Sequence, residues 1–431
     1  MRGSGVVRVG VLGCGHVGSA LIRLITDHAE VVEARAGVKV EVAKVAVRNL
    51  AKERDVDIEA GRFTHNAEEV VADPSIDVVV EVIGGIEPAR SLIKTALEAG
   101  KPVVTANKEL LANFGRELFG AAESAGVDLL FEASVCGGIP LIRPLRESLA
   151  GDRIRRVMGI VNGTTNFVLT RMSESGSSFH DALAEAQTLG YAERDPTADV
   201  EGFDAAAKAA IIASIAFGTW VVAGDVYREG ISGVTAQDID SARNLGYVVK
   251  LLAIAEEIDG EVAVRVHPAM VPVRHPLASV KDSFNAVFIE GDAAGDLMFY
   301  GRGAGGMPTA SAVLGDLVDA AKNLTGGGRG ATIGTMVRKR VRPIDEMESQ
   351  FYVLMEVADR PGVLAALASA FGNHGVSIKS MQQHGIAEDA RLIFVTHKAR
   401  ERDLEATMHE VRALDVVHKV GSILRVVGED D

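Results

Sequence analysis

A carboxylate and an amine stand four residues apart where an acidic loop runs into an alanine-rich helix. The loop begins at Gly190, and Pro196 and Gly202 interrupt regular structure within it. From Asp204 onward the sequence predicts a helix, so the side chains of Asp204 and Lys208 lie on one helical face. Taken alone, this pattern fits either an ion pair on a capped helix or a carboxylate and an amine that act together on a ligand.

A glycine-rich turn near the N-terminus gives a second chemical signal. It lies between a valine-rich run, predicted to be a buried strand, and a helical pattern, and it consists of Gly13, Cys14, Gly15, His16, Val17 and Gly18. Strand, Gly-x-Gly-x-x-Gly and helix together predict a dinucleotide-binding site. Gly13 makes the tight turn, Gly15 lets the backbone approach the pyrophosphate, and Gly18 allows close helix packing. We predict that His16 and Val17 also contact the cofactor, with His16 as a loop residue and not a catalyst.

The residues after the second predicted strand bear on the choice of cofactor. That strand covers residues 38–47, and a site restricted to NAD would place Asp or Glu at its end to hold the ribose 2′-hydroxyl. The chain has Arg48 there instead, and Lys52 and Arg54 follow nearby. A cation at this point suits the 2′-phosphate of NADP, so we predict NADP and leave NAD open.

Further strand–helix alternation places polar residues at strand ends, where ligands bind in doubly wound sheets. Thr105 ends one predicted strand, and Lys108 follows it either as a ligand-contacting lysine or as an exposed lysine at a helix start. A later glycine-rich loop contains Gly305 and Gly306 and precedes another predicted helix. This loop either closes over the far side of the cofactor or serves as a tight packing turn.

The predicted elements change in character after about residue 150. The turn over residues 162–166 is polar and caps a predicted helix. Strand, helix, strand, strand, helix and strand can be read over residues 350–427, after a glycine-rich linker. The remaining predicted elements are a strand over 153–161, helices over 179–189, 238–258 and 310–323, and strands over 285–290 and 297–300.

The composition excludes several classes of protein. With 431 residues, 47% of them apolar and 24% charged, the chain is that of a globular protein of about three domains. Its net charge of −14 argues against nucleic acid or an anionic membrane as the main partner. Its 2 cysteines are too few for a disulfide framework. Because the sequence also shows no membrane-spanning run and no signal-peptide pattern, we expect a cytoplasmic enzyme.

Taken in order along nearly the whole chain, these motifs resemble those of the homoserine dehydrogenases of the long bacterial type, which end in an ACT domain. The resemblance rests on residues 13–18, 105–108, 132–140, 159–166, 190–208 and 303–310. It implies an α/β fold of three parts. These are a Rossmann-type NAD(P)-binding domain over 1–135 that a helix at about 305–324 completes, an α+β substrate-binding and dimerisation domain over 136–304, and, after a linker over 325–348, an ACT domain over 349–431.

The resemblance also implies a reaction, the reversible NAD(P)-dependent interconversion of L-homoserine and L-aspartate 4-semialdehyde on the route to threonine and methionine. Homoserine carries an ammonium and a carboxylate, and its terminal hydroxyl loses a proton as hydride leaves. Lys208 resembles the family's proton-transfer residue. Lys108 resembles its second lysine, which contacts both the cofactor and the substrate.

The acidic loop supplies the residues that the family uses to bind the substrate. Glu193 and Asp204 resemble its ammonium-binding acids, and Gly190 resembles the residue that offers backbone contacts. Asp199 matches a further acid of the family, although an acid in the first turn of a helix has the same appearance.

The family also binds a monovalent cation such as Na⁺ in the loop that begins at Glu132. By position, the ligands are the Glu132 carboxylate and the backbone carbonyls of Val135, Gly137 and Ile139. Oxygen ligands suit a hard ion, but the sequence alone does not separate an ion site from a structural turn. Cys136 lies in this loop, and we exclude it as a nucleophile because no His-centred motif accompanies it and hydride transfer needs no covalent intermediate.

The ACT resemblance implies an amino-acid effector, with threonine as the hypothesis, and a homodimer or homotetramer. Two rival functions remain. One is aspartate semialdehyde dehydrogenase, which needs an acylatable cysteine and a phosphate-activating site that the sequence does not show. The other is a non-enzymatic sensor of NADP and amino acids, which leaves the pairing of Lys108 with Lys208 unexplained.

Overall fold

The structure is a computed structural model that describes residues 5–384 and 390–428. Its helices are α1 (His16–Asp27), α2 (Ala29–Ala36), α3 (Ala67–Ala72), α4 (Ala89–Glu98), α5 (Lys108–Ala125), α6 (Gly163–Ser175), α7 (Phe179–Thr188), α8 (Thr197–Val200), α9 (Phe203–Phe217), α10 (Ala236–Asn244), α11 (Gly306–Thr325), α12 (Val363–Asn373) and α13 (Glu401–Arg412). Its strands are β1 (Val6–Leu12), β2 (Lys39–Ala46), β3 (Phe63–Thr64), β4 (Val78–Glu81), β5 (Val103–Thr105), β6 (Leu129–Leu130), β7 (Ile154–Ile160), β8 (Tyr227–Arg228), β9 (Tyr247–Ile258), β10 (Glu261–Pro272), β11 (Phe284–Gly291), β12 (Gly295–Arg302), β13 (Glu348–Val357), β14 (Ile378–His384), β15 (Arg391–Thr396), β16 (Ala399–Arg400) and β17 (Val417–Val426).

The described residues form two compact units. The first comprises those of Met1–Val157, Ala207–Val226 and Asn285–Lys339. The second comprises those of Met158–Ala206, Tyr227–Phe284 and Arg340–Asp431.

A six-stranded sheet forms the centre of the first unit. Its strand order is β3-β2-β1-β4-β5-β6, and each neighbouring pair is parallel. The order reverses direction at β1, next to β4, which is the point where open α/β sheets bind ligands beyond the carboxyl ends of their strands. The valine-rich β1 and β4 are buried, as expected for strands that helices cover on both faces.

Helix α11 belongs to the core of this unit although it lies far from the sheet in sequence. Its residues Ala310, Val313 and Leu317 are fully buried in the same apolar cluster as strand β1 and helix α1. The helix packs directly against α1. The apolar face that α11 presents explains why α1 can bury its own leucine and isoleucine side chains.

The sheet of the second unit is mixed. Strands β9 and β10 form a long antiparallel hairpin in which Glu261 pairs with Ile258 and Pro272 with Tyr247. Strand β17 joins β10 in parallel, and β13, β15 and β14 continue the sheet with antiparallel pairing. The sheet of the C-terminal segment is therefore continuous with the hairpin.

The C-terminal segment has the predicted strand, helix, strand, strand, helix, strand order, with the short β16 added before α13. Helices α12 and α13 bury Leu367, Phe371 and Met408 against Phe351 and Phe394 of the sheet. Together, the parallel sheet of the first unit and the mixed sheet of the second confirm the predicted α/β class.

The structure contradicts one predicted element and the predicted position of one residue. The helix predicted over 238–258 ends at Asn244, and the remainder is the strand β9. Residues 249–255 of this strand are buried without alternation, and a strand buried on both faces cannot be told from a buried helix by periodicity. His16, predicted as a loop residue, is the first residue of α1.

Among the residues that the structure describes, no helix has both the length and the apolar character needed to cross a bilayer.

Candidate active site

The glycine-rich turn between β1 and α1 has the geometry that its motif predicts. Gly13 has a φ of 104°, which favours glycine. A methyl group on Gly18 would overlap the carbonyl oxygen of Gly13, so α1 can start this close to the turn only with glycine there. Gly15 caps the helix, and the space where its side chain would stand is open. The exposed start of α1 therefore offers backbone N–H groups to an anion.

The second glycine-rich loop lies next to the first. Gly305 has a φ of 119° and precedes α11. A methyl group on Gly306 would stand 3.0 Å from the carbonyl oxygen of His16, so the starts of α1 and α11 approach closely. The two alternatives for this loop, cofactor contact and packing turn, both remain compatible with this position.

A cavity of about 280 Å³ in the first unit brings the two predicted catalytic lysines together. Lys108, at the start of α5, and Lys208, on α9, both line it. Val17 of the first glycine-rich turn and Gly137 of the Glu132 loop also line it. Lys208 is only 8% exposed, so its amine sits in a site where water is largely excluded and electrostatic interactions are strong.

Two polar residues that line this cavity, Glu81 and Asn107, were not predicted from the sequence as site residues. Glu81, at the end of β4, is fully buried and accepts hydrogen bonds from the Thr105 hydroxyl (2.6 Å) and the Ile83 N–H (2.8 Å). Asn107 caps α5 by accepting from the Leu110 N–H at 3.0 Å. Thr105, which we predicted at the end of a strand where ligands bind, therefore links Glu81 to the segment that leads to Lys108. The signal for Glu81 in the sequence was an acid at the end of a strand, before two glycines.

The Glu132 loop is fixed by a buried hydrogen-bond network. The Glu132 carboxylate accepts the N–H groups of Leu141 (2.5 Å), Ile142 (2.8 Å) and Arg143 (2.8 Å). The Glu132 N–H donates to Asp316 of α11 at 2.8 Å, and the Arg143 guanidinium donates to the same carboxylate at 2.8 Å. Burial, and then the negative charge of Glu132, raise the pKa of Asp316 to about 7.

The backbone of this loop turns at Cys136 and Gly137, whose φ values are 55° and 49°. Val135, Cys136 and Ile139 are buried. Within the described ranges, no three side chains of His, Cys, Asp or Glu cluster to hold a metal, which leaves the predicted site of one carboxylate and three backbone carbonyls untested. The loop contacts the lysine cavity through Gly137 and Cys136.

In the second unit, two predicted substrate acids converge on one amide. The Asn162 side-chain nitrogen donates to Asp199 at 2.7 Å and to Asp204 at 2.9 Å. Asp204 is 8% exposed and lies in the first turn of α9, the helix that carries Lys208 one turn further on. The sequence identified Asn162 as a helix cap but not as the partner of these acids.

The other predicted residues of the acidic loop lie just before this pair. Gly190 has a φ of 77°, and Glu193 is exposed. The Gln187 amide donates to the Glu193 carbonyl at 3.0 Å, and the Thr164 hydroxyl donates to the Tyr191 carbonyl at 2.7 Å. The loop is therefore held by its backbone, which leaves the Glu193 side chain at the surface.

Arg48 lies elsewhere in the first unit. It follows the end of β2 by two residues and is exposed. Strand β2 neighbours β1, whose carboxyl end leads into the first glycine-rich turn. Arg48 thus stands beyond the strand where dinucleotide-binding folds recognise the adenosine ribose.

A parallel sheet with a glycine-rich turn at its switch point, next to a cavity lined by two lysines, is the arrangement expected of a dinucleotide-dependent oxidoreductase. Comparison with family models agrees: residues 13–132 match "Homoserine dehydrogenase, NAD binding domain", residues 140–318 match "Homoserine dehydrogenase", and residues 351–416 match "ACT domain".

Comparison with individual proteins extends this similarity to the full length. The chain is 52% identical over 433 aligned residues to a homoserine dehydrogenase of Mycobacterium bovis, with 98% of both chains covered. It is 50% identical to a homoserine dehydrogenase of Corynebacterium glutamicum, covering 97% of this chain and 95% of that one. The crystal structure of a homoserine dehydrogenase from Thiobacillus denitrificans superposes with a TM-score of 0.93 at 41% identity, with 98% of both chains covered.

The chain belongs to the homoserine dehydrogenase family and is an oxidoreductase that acts on a CH–OH group.

Proposed function

We propose that the chain interconverts L-homoserine and L-aspartate 4-semialdehyde with NADP as the hydride carrier. The observation that carries the proposal is the cavity that Lys108 and Lys208 share with Val17 of the nucleotide-binding turn. An alcohol oxidation needs one group to accept the hydroxyl proton while hydride leaves the same carbon. An amine held next to a nicotinamide pocket, with a second cation beside it, meets this need.

The geometry of the first glycine-rich turn supports the proposal that the chain binds a dinucleotide cofactor. Gly15 leaves open space at the exposed start of α1, and the contact between Gly13 and Gly18 places that start against the end of β1. When bound, the nicotinamide ring accepts hydride from the alcohol carbon or returns it to the aldehyde. Arg48 supports NADP over NAD, because its guanidinium is suited to a 2′-phosphate.

Lys208 accepts the hydroxyl proton of homoserine in oxidation and donates a proton to the aldehyde oxygen in reduction. Lys108 contacts the cofactor and the reacting oxygen and stabilises the negative charge that develops there. Asp204 and Asp199, with Glu193 and the backbone at Gly190, bind the substrate ammonium. Since Asp204 and Lys208 share α9, the helix sets the separation between the ammonium and the reacting oxygen.

The proposal also includes a monovalent cation, such as Na⁺, that binds in the Glu132 loop. Its ligands are the Glu132 carboxylate and the carbonyls of Val135, Gly137 and Ile139. The support is the buried position of Glu132 and the tight turn at Gly137, beside the lysine cavity. The ion would hold the shape of the loop and would not take part in hydride transfer.

The C-terminal ACT segment is proposed to bind threonine as a feedback effector in a homodimer or homotetramer. Within the second unit, Asp238 of α10 accepts hydrogen bonds from Ser422 of β17 (2.6 Å) and Tyr352 of β13 (3.4 Å). Helix α10 packs against α6, which follows Asn162. A shift of the ACT strands would thus reach the substrate acids through two packed helices. Rates that stay unchanged at millimolar threonine would contradict this part of the proposal.

We place the domain limits of the proposal at 1–135 with the helix at about 305–324, 136–304, 325–348 and 349–431. The packing of α11 against α1 supports the assignment of that helix to the nucleotide-binding domain. The cellular location consistent with this function is the cytoplasm.

One assay tests the function against both rivals. The chain is incubated with NADPH and L-aspartate 4-semialdehyde without phosphate, and the loss of NADPH absorbance and the formation of homoserine are followed. The proposal predicts turnover that phosphate does not change. A reaction that runs only with NADP⁺ and phosphate would identify the semialdehyde dehydrogenase, and the absence of any turnover would favour a sensor.

A further inference from the structure

The first turn of α6 contains a polar group that the proposed reaction has not yet used. Asn162 is 5% exposed and caps the helix: its side-chain oxygen accepts the N–H of Thr165 at 2.9 Å and the hydroxyl of Thr165 at 3.0 Å. Capping needs only this oxygen. The side-chain nitrogen is used separately, since it donates to Asp199 at 2.7 Å and to Asp204 at 2.9 Å.

The acceptor role of the oxygen fixes the direction of the amide. If the group were rotated, its oxygen would face two carboxylates and its nitrogen would face the Thr165 N–H, so both sets of contacts would become repulsive. One nitrogen with two hydrogens is therefore matched to two carboxylates that come from different helices, α8 and α9. Without a donor between them, two neighbouring carboxylates repel each other.

Helix α6 is itself anchored in a way that makes Asn162 a rigid donor. One turn after Asn162, the buried Asn166 donates to the carbonyls of Asp282 at 3.0 Å and Phe284 at 3.2 Å. Its oxygen accepts from Lys250 of β9 at 2.9 Å. The first turn of α6 is thus fixed to the strand β9 and to the loop before β11 through buried hydrogen bonds, which are strong because water is excluded.

We propose that Asn162 is a positioning residue for substrate binding: it holds the carboxylates of Asp199 and Asp204 side by side, so that they can receive the ammonium group of the amino-acid substrate. The proposal rests on the function proposed above. It assigns to Asn162 an effect on substrate affinity that goes beyond capping α6, and it makes Asp199 part of one unit with Asp204 rather than an isolated acid at a helix start.

Asn162→Asp separates the two roles. Aspartate is as good a helix cap as asparagine, so the cap of α6 is retained. The donor is lost, however, and a third carboxylate faces Asp199 and Asp204. We expect the KM for homoserine to rise about tenfold to a hundredfold, the range for a lost hydrogen bond to a charged group. The affinity for NADPH, measured by its fluorescence, should stay at the wild-type value. The kcat at saturating homoserine should fall much less than the KM rises, because Asn162 acts on substrate binding and does not contact the reacting atoms.

Asn66→Asp is the matched control, because Asn66 caps α3 in the first unit and accepts from the Glu68 N–H at 3.0 Å. Thermal unfolding verifies that both variants are folded. An Asn162→Asp enzyme with the wild-type KM for homoserine would overturn the positioning role, as would an equal defect in Asn66→Asp. The proposed function fails separately, since a wild-type chain without turnover refutes it whatever the variants do.

Discussion

Asp316 gives the sharpest prediction about stability, because it is buried between two charged neighbours. Its side chain is 4% exposed, and its pKa is raised from 3.8 to about 7 by burial first and by the charge of Glu132 second. A carboxyl group whose pKa is raised on folding stabilises the fold fully below its unfolded pKa. That stability is lost as the pH rises from about 4 to about 7 and is absent above this range.

The magnitude follows from the size of the shift. A displacement of about three pKa units corresponds to about 4 kcal/mol, and the part that falls between pH 5 and pH 8 is about 3 kcal/mol. Asp316→Asn removes this dependence while it keeps an oxygen for the Glu132 N–H. The loss of the ion pair with Arg143 costs little, because Arg143 is 35% exposed and also contacts Asp319 at 2.9 Å.

The assay is urea unfolding of the wild type and Asp316→Asn at pH 5 and pH 8. We expect the variant to gain about 3 kcal/mol relative to the wild type between the two pH values. Asp319→Asn, which changes a half-exposed acid on the same helix, should show no such gain. If the stability difference between Asp316→Asn and the wild type were the same at both pH values, Asp316 would be ionised throughout and the reasoning would be refuted.

Two further predictions concern the cofactor. Gly18→Ala should destabilise the fold by about 1–3 kcal/mol, because the methyl group meets the Gly13 carbonyl. Gly15→Ala, in open space, should unfold like the wild type in thermal denaturation but bind NADPH more weakly; equal stability of the two variants would contradict this difference. Arg48→Glu should shift the ratio of kcat/KM values from NADP toward NAD, whereas the exposed Arg35→Glu should not. An unchanged ratio in Arg48→Glu would mean that Arg48 only faces solvent.

The sequence predicted local structure best at positions where the backbone geometry accepts only one type of residue. The turn at Gly13 and Gly18 follows from a positive φ and a close backbone contact, and both are properties of glycine alone. A helix from Asp204 onward was likewise predicted from the alanine-rich pattern, and the structure has it as Phe203–Phe217. Such signals are local, so no tertiary contact is needed to read them.

Prediction from the sequence failed where contacts between residues far apart in the chain determine the local structure or the hydrogen-bond partner. Strand β9 was taken for a helix because its apolar run is buried on both faces within the sheet. Asn162 was recognised as a cap, but the two carboxylates that accept hydrogen bonds from its side-chain nitrogen lie 37 and 42 residues further along the chain. The network of Glu132 with Asp316 spans 184 residues and has no local pattern at all. These contacts depend on how the units fold, which periodicity does not reveal.

The central claim is that Lys208 carries the proton at a hydride-transfer site, and the most direct test is the kcat of Lys208→Ala for NADPH-dependent reduction of aspartate 4-semialdehyde. The account predicts a fall of about 10²–10⁴-fold, as expected for the loss of a general acid–base group. NADPH affinity should remain close to that of the wild type. Turnover of Lys208→Ala at a rate close to that of the wild type would contradict the account.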